Sequence, residues 1–348
     1  MPAISAADAI SPAIQRTRAF LFRPFSFGTY IKLCFVALLT EGSTGGNFNS
    51  SFPKGRSSHH ASFPSHAAFP HFAFTPEHIA MICAMAAVFL VVGLWLGWLI
   101  TRLRFAYFYC LATNTRFIRP GWHLYGDPAT RFFWFTVAVG LCFLVLMAIL
   151  LIPFAAGFIG LFHGMRAGGH PNIGAIVALL LPLIPIIFLI AILGLAVKIV
   201  LFDFMLPHFA LENATVGQAW SAAWARIRVE KGGFFVFALL RVFLPIVAAI
   251  GIFIVLLIPG VVCAIAVVAL EAALHAALGH GAIGLFFEIS VGCIAAAIAL
   301  LVFVAAYGPL QTAVREYALI FYGNRYRPLG DILYPPPPPP AAIPAPAL

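Results

Sequence analysis

Long apolar runs dominate the chain, and short stretches rich in Arg, Gly, Pro and aromatic residues separate them. The runs reach or exceed the roughly 20 residues with which an α-helix crosses a hydrocarbon core. The pattern predicts spans at about 25–40, 77–100, 132–162, 173–202, 234–258 and 284–308. The first is short and contains Lys32, whose stem can snorkel to the interface. It would act as an uncleaved anchor, because residues 1–20 lack the apolar core of a cleavable signal. Gly93 and Gly97 form G-x-x-x-G in the second span, read as a packing face. The expected fold is all-α: a polytopic transmembrane bundle of about six spans with interfacial amphipathic helices.

The region 233–308 allows two readings. Three spans there would make seven in all and leave Arg315, Arg325 and Arg327 outside. Six spans keep both termini inside, with a break at Pro259-Gly260. The stretch 261–277 then continues a kinked helix or lies at the outer surface, where Glu271 and His275 fit better than in lipid. Pro153, Pro182 and Pro185 lie within runs and read as kinks. Outside the transmembrane domain (25–330) lie an N-terminal interfacial arm (1–24) and a Pro-rich tail (331–348). In the arm, Ile10, Ile14, Phe20 and Leu21 oppose Gln15, Arg16 and Arg18. The tail favours an extended polyproline rod, a possible ligand for a proline-binding partner. Residues 41–76 form a low-complexity outer loop.

Charge orients this pattern. Sixteen of the 20 Lys and Arg residues lie in four alternate stretches: the arm, the connectors near 102–131 and 198–231, and the C-terminal segment. Basic flanks stay cytoplasmic, which places both termini inside an inner (plasma) membrane. The composition agrees: 63% hydrophobic and 9% charged residues, against about 45–50% and about 25% in soluble domains. The net charge of +9 points to anionic headgroups, since no connector can house a nucleic-acid reader.

The cytoplasmic segments resemble one another: AIQRTRAFLFRPFSFGTYIKL, ATNTRFIRPGWHLYGDPATRFFWF and ATVGQAWSAAWARIRVEKGGFFVF. They suggest a surface helix followed by a hairpin, repeated three times. In the third, Val216, Trp220, Ala223, Trp224 and Ile227 share a helical face beside Arg226 and Arg228, the pattern of a helix lying in the interface. The connector 202–237, with Pro207, Glu212, Val216, Ala219, Trp220 and Lys231, resembles families of uncharacterised prokaryotic multi-pass membrane proteins. It is also similar to the membrane domain of some glycerophosphodiester phosphodiesterases. The resemblance implies no activity, because the His-Arg-Gly start and the soluble catalytic domain are absent.

Candidate chemistry is sparse. Asp203, Glu212, Glu271 and Arg241 are the candidate functional charges, since charge within a membrane is costly. Arg241 is expected to snorkel or to pair with Asp203, and Asp203 and Glu212 to pair near Lys198 and Arg226. Six spans face nine histidines outward, among them His59, His60, His66 and His71, but no pair has a rigid metal-ligand spacing. The six cysteines read as buried apolar residues. Walker, G-x-S-x-G and paired-carboxylate motifs are missing. No catalytic, cofactor or metal residue is assigned. The expected function is non-enzymatic: membrane organisation through lipid or an unidentified protein partner. Small-solute transport is the alternative, and lipid modification comes third.

Overall fold

The computed structural model describes residues 4–42, 76–166, 173–279 and 281–335. Regular structure among the described residues is entirely helical. A short amphipathic helix α1 (Ile10–Phe22) precedes α2 (Phe27–Ala37), which ends in a π-helical turn, Leu38–Gly42. Then come α3 (Pro76–Ala112), α4 (Ile118–Leu124), α5 (Gly126–Arg166) and α6 (Ile173–Ile199). A second π-helical segment, Val200–Met205, joins α6 to α7 (Leu206–Leu211). The chain continues through α8 (Val216–Val229), α9 (Lys231–Leu278), α10 (Ala282–Gly323) and α11 (Arg327–Leu333). Five stretches are long and apolar enough to cross a membrane: Glu77–Ala112, Gly126–Leu161, Ile176–Leu211, Lys231–Ala277 and Ile283–Gly323.

The expected span at 25–40 corresponds to the 11-residue α2 and its π turn, and is not one of these five. Its contacts give its direction. Tyr30 meets Ala305, Cys34 abuts Gly308 and Glu41 faces Arg315, so α2 runs parallel to α10. Arg325 donates to the Ile4 carbonyl and Arg16 pairs with Glu316, so α1 runs antiparallel to α10. Together α1 and α2 form a hairpin along the C-terminal half of α10. Gly308 permits the close approach: a Cβ there would lie 2.2 Å from Cys34 Cβ.

Of the two placements open to 261–277, the helix takes continuation: α9 runs unbroken through Pro245 and Pro259. A proline removes one backbone hydrogen bond, and a long membrane-type helix tolerates that loss. Two connectors turn in the same way. Asn114, after α3, and Asn213, after α7, both adopt positive φ, a conformation Asn tolerates through its short polar side chain. The Gly93/Gly97 face is used on one side only, where Gly97 packs on the Phe133 ring; space around Gly93 is open.

Burial is concentrated at one end. The last turns of α3, the segment from Ile199 to Phe209 and the end of α10 form the core with α1, α2, α8, α11 and the first turns of α5 and α9. Phe204, Phe234, Phe237, Phe321 and Tyr322 stack there at centroid distances of 4.3–5.5 Å. Each buried ring contributes about 1.5–3 kcal/mol. Beyond this packed end the long helices carry exposed Leu, Ile, Val and Phe. The segment beyond Gly42, expected as an outer loop and holding His59, His60, His66 and His71, lies outside the described residues, as do His170, His280 and the proline tract beyond Pro335.

Candidate functional site

Two carboxylates and four cations converge where the packed end meets the exposed apolar half. Both carboxylates sit on π-helical segments: Glu41 in Leu38–Gly42 and Asp203 in Val200–Met205. A π turn holds one extra residue, which re-aims the side chains around it, and such turns recur at functional positions. Arg241 donates from Nε to Asp203 Oδ2 at 3.0 Å and from Nη2 to Glu41 Oε2 at 3.0 Å. Arg315, only 1% exposed, donates to Asp203 Oδ1 at 2.9 Å and to the Phe202 carbonyl at 2.8 Å. Arg104 donates to the Thr40 carbonyl and lies 3.9 Å over the Phe202 ring. Lys198, two residues before the second π segment, completes the group and interacts through space with Glu41 and Asp203.

The pairing of Arg241 with Asp203 is as expected from the sequence. Glu41, Arg104 and Arg315 enter the cluster without having been singled out, because each looks like an ordinary polar residue flanking a span. The other candidates lie elsewhere. Glu271 is thirty positions along α9 from Arg241, about 45 Å at ~1.5 Å per residue, beside Gly292. Close to it, His275 bonds Glu288 at 2.8 Å.

Glu212 belongs to a second group at the tip of the packed end. His208, buried under the Tyr326 ring, lies 3.0 Å from Glu212 through Nδ1 and 2.8 Å from the Tyr322 hydroxyl through Nε2. The neutral tautomer that satisfies both donates Nδ1–H to Glu212 and accepts from Tyr322. Burial disfavours the Glu212 carboxylate, but the His208 hydrogen bond and the Arg226 charge outweigh it and hold its carboxyl below the ordinary value. The i, i+4 spacing of His208 and Glu212 is the signal in the sequence for this pair. His208 and Tyr322 are buried while the Glu212 side chain is 46% exposed, and with Arg226 beside His208 the group joins α7, α8 and α10 as a brace.

Two further arginines tie the ends together. Arg16 meets Glu316 at 3.2 Å and caps carbonyls of Leu111, Ala112 and Leu333, where α3 and α11 end. Arg325 grips Glu230 with two bonds of 2.7 Å, and these hold the Glu230 carboxyl below its ordinary value.

The α8 face is arranged differently from the helical-wheel expectation. A Thr215–Gln218 capping box starts the helix, and Ala219 and Ala223 are its buried residues. Trp220 and Trp224 stack 6.0 Å apart on the outside, with Arg228 over Trp224 at 5.5 Å. Arg226 instead turns inward, donating to the Arg325 and Ala222 carbonyls.

Beside the charge cluster lies a cavity of about 760 Å³. Glu41, Lys198, Asp203 and Arg241 line one end, while Leu195, Ile246, Leu300, Phe303 and Val304 form walls toward the apolar half. Among the described residues, no group of three or more His, Cys, Asp and Glu could hold a metal ion.

A family model described as a family of unknown function, DUF7544, matches residues 4–332. No curated protein matches the chain, and no solved structure does. The match carries no link to glycerophosphodiester phosphodiesterases. It spans the arm, all five long helices and α11, and on that extent the chain belongs to the DUF7544 family.

Proposed function

We propose that the protein is a non-enzymatic, multi-pass inner-membrane protein that gathers acidic lipids around a cytoplasmic collar. The carrying observation is a basic and aromatic ring at the base of the packed end. Arg102 lies 5.4 Å over Trp98 and 4.6 Å over Trp122, and Trp95 and Trp134 are exposed nearby. Trp98 also donates to Thr130, which fixes α3 against α5 at this level. Tyr107 bonds Thr312, so Trp98, nine residues earlier, is about level with Phe303 at equal helical rise. The α1–α2 turn reaches the same depth, because Tyr30 bonds Ala305 and packs with the exposed Phe25.

Aromatic belts of this kind sit at headgroup depth, with Arg reaching phosphate. Distal to the ring, α10 from Ile283 to Phe303 would then occupy hydrocarbon. The basic residues cluster on the packed side, which favours a cytoplasmic position for that end. The α8 helix, at the tip of the packed end, is left to face solvent or a partner.

Trp quenching tests the reading. The full chain is reconstituted in vesicles with brominated phosphatidylglycerol or brominated phosphatidylcholine at equal mole fraction. Stronger quenching by the acidic lipid is expected, reduced by 0.5 M salt (a Debye length of about 4 Å) and by Arg102→Gln. Equal quenching by both lipids would contradict it. Small-solute transport is the second reading, favoured by the cavity beside Arg241. Its walls of Leu, Ile, Phe and Val suit an apolar chain better than a polar solute.

A further inference from the structure

We infer that the cavity between α2, α6, α9 and α10 is a binding site for one acidic phospholipid, its headgroup at Lys198 and Arg241 and its acyl chains along Leu300 and Phe303. This rests on the reading that the protein gathers acidic lipids, but it concerns a single enclosed molecule and not the ring around the outside.

Charge comes first. Among the described residues Lys198, Arg241 and Arg315 share two carboxylates, Glu41 and Asp203, and both carboxylates are held by the arginines, which leaves the Lys198 charge over. Glu316 does not close the gap, because Arg16 already pairs with it. Buried charge without a partner is strongly unfavourable, so the cluster is built for an anion. Lys198 makes no hydrogen bond or ion pair to a described residue, and it lines the cavity. The Arg315 Nη2 donor is buried without a partner.

Shape specifies what carries the anion. Charged groups occupy the end of the cavity level with Gln311, Arg241 and Asp203; one turn toward Leu300 the Tyr307 hydroxyl is taken up by the Ala249 carbonyl, and beyond it Val304, Phe303 and Leu300 are apolar. A site polar at one end and apolar at the other matches an amphiphile whose chain points toward the exposed halves of the helices. Leu300 and Phe303 line the cavity and are also exposed on the outer surface at the hydrocarbon side of the ring, which gives a lateral opening for acyl chains. The volume of about 760 Å³ lies within the roughly 300–1,000 Å³ of ligand sites. It takes a headgroup and the upper part of the chains, the remainder passing through the opening.

The test uses the full chain, purified in detergent, delipidated and held in 0.5 M salt so that attraction to the outer ring is screened. Dioleoyl phosphatidylglycerol, dioleoyl phosphatidylcholine and inorganic phosphate are added separately. Thermal shift and native mass spectrometry are the readouts. One phosphatidylglycerol retained per chain and a rise in Tm of several degrees are expected, with neither effect from phosphatidylcholine or phosphate. Lys198→Gln, which breaks no ion pair, should weaken retention at least fivefold. Ile246→Trp, which fills the cavity from an exposed position, should abolish it while leaving the lipid-free Tm unchanged. An equal shift with phosphate alone, or equal retention of phosphatidylcholine, would overturn the assignment. Loss of retention in Arg102→Gln but not in Lys198→Gln would also overturn it, while leaving the collar reading standing.

Discussion

At the scale of single residues, the cluster around Asp203 sets the energetics. Asp203 accepts from both Arg241 and Arg315 in a site where its own side chain is almost fully buried. Removing one partner of such a pair leaves the others charged and dry, at a cost of about 3–5 kcal/mol. Asp203→Ala should therefore destabilise the protein by about that amount in unfolding by denaturing detergent. Asp203→Ala with Arg241→Met should cost clearly less than the sum of the two single changes, because the second removes a charge the first has stranded. Additive effects would mean that the pair contributes nothing. Arg241 and Asp203 were legible in the sequence because charge inside an apolar run is conspicuous. Arg104 and Arg315 were not: a run of connector cations gives no sign of which ones turn inward. Arg226 makes the same point in reverse, since its place beside two tryptophans suggested the interface and its partners are carbonyls of the packed end.

At the scale of elements, hydropathy located the long helices well. Their limits moved because the packed end extends them: α10 continues from the expected end near 308 to Gly323. The two π segments had no signature in composition, since an extra residue in a turn changes hydrogen bonding and not hydropathy. The α1–α2 hairpin was missed for a related reason. An apolar stretch of 16 residues can cross a thin core or fold back against a neighbour, and Gly308 opposite Cys34 permits the second. Gly308→Ala would bring a methyl group within 2.7 Å of Cys34 Cα. Overpacking of this kind costs about 1–3 kcal/mol, so a lowered Tm is expected for Gly308→Ala in detergent. Gly251→Ala, in the same class of helix but facing open space, should be neutral or slightly stabilising. Equal effects at the two positions would remove the argument for close α2–α10 packing.

At the scale of the whole molecule, the chain is asymmetric. One end is aromatic, basic and tightly packed through residues far apart in sequence, such as Arg16 with Leu333 and Arg325 with Ile4. The other consists of long apolar helices with little mutual burial. The membrane class and the basic asymmetry were legible because both are sums over many residues. The cavity was not, because it depends on how four helices from separate segments meet. The central claim is that the packed, basic end lies in the cytoplasm. It is tested most directly by labelling intact cells with a membrane-impermeant maleimide, using single cysteines in place of the exposed Arg327 and His275 in a background without the native cysteines. The account predicts labelling at position 275 in intact cells, and at 327 only after the cells are broken. Labelling at 327 in intact cells would contradict it.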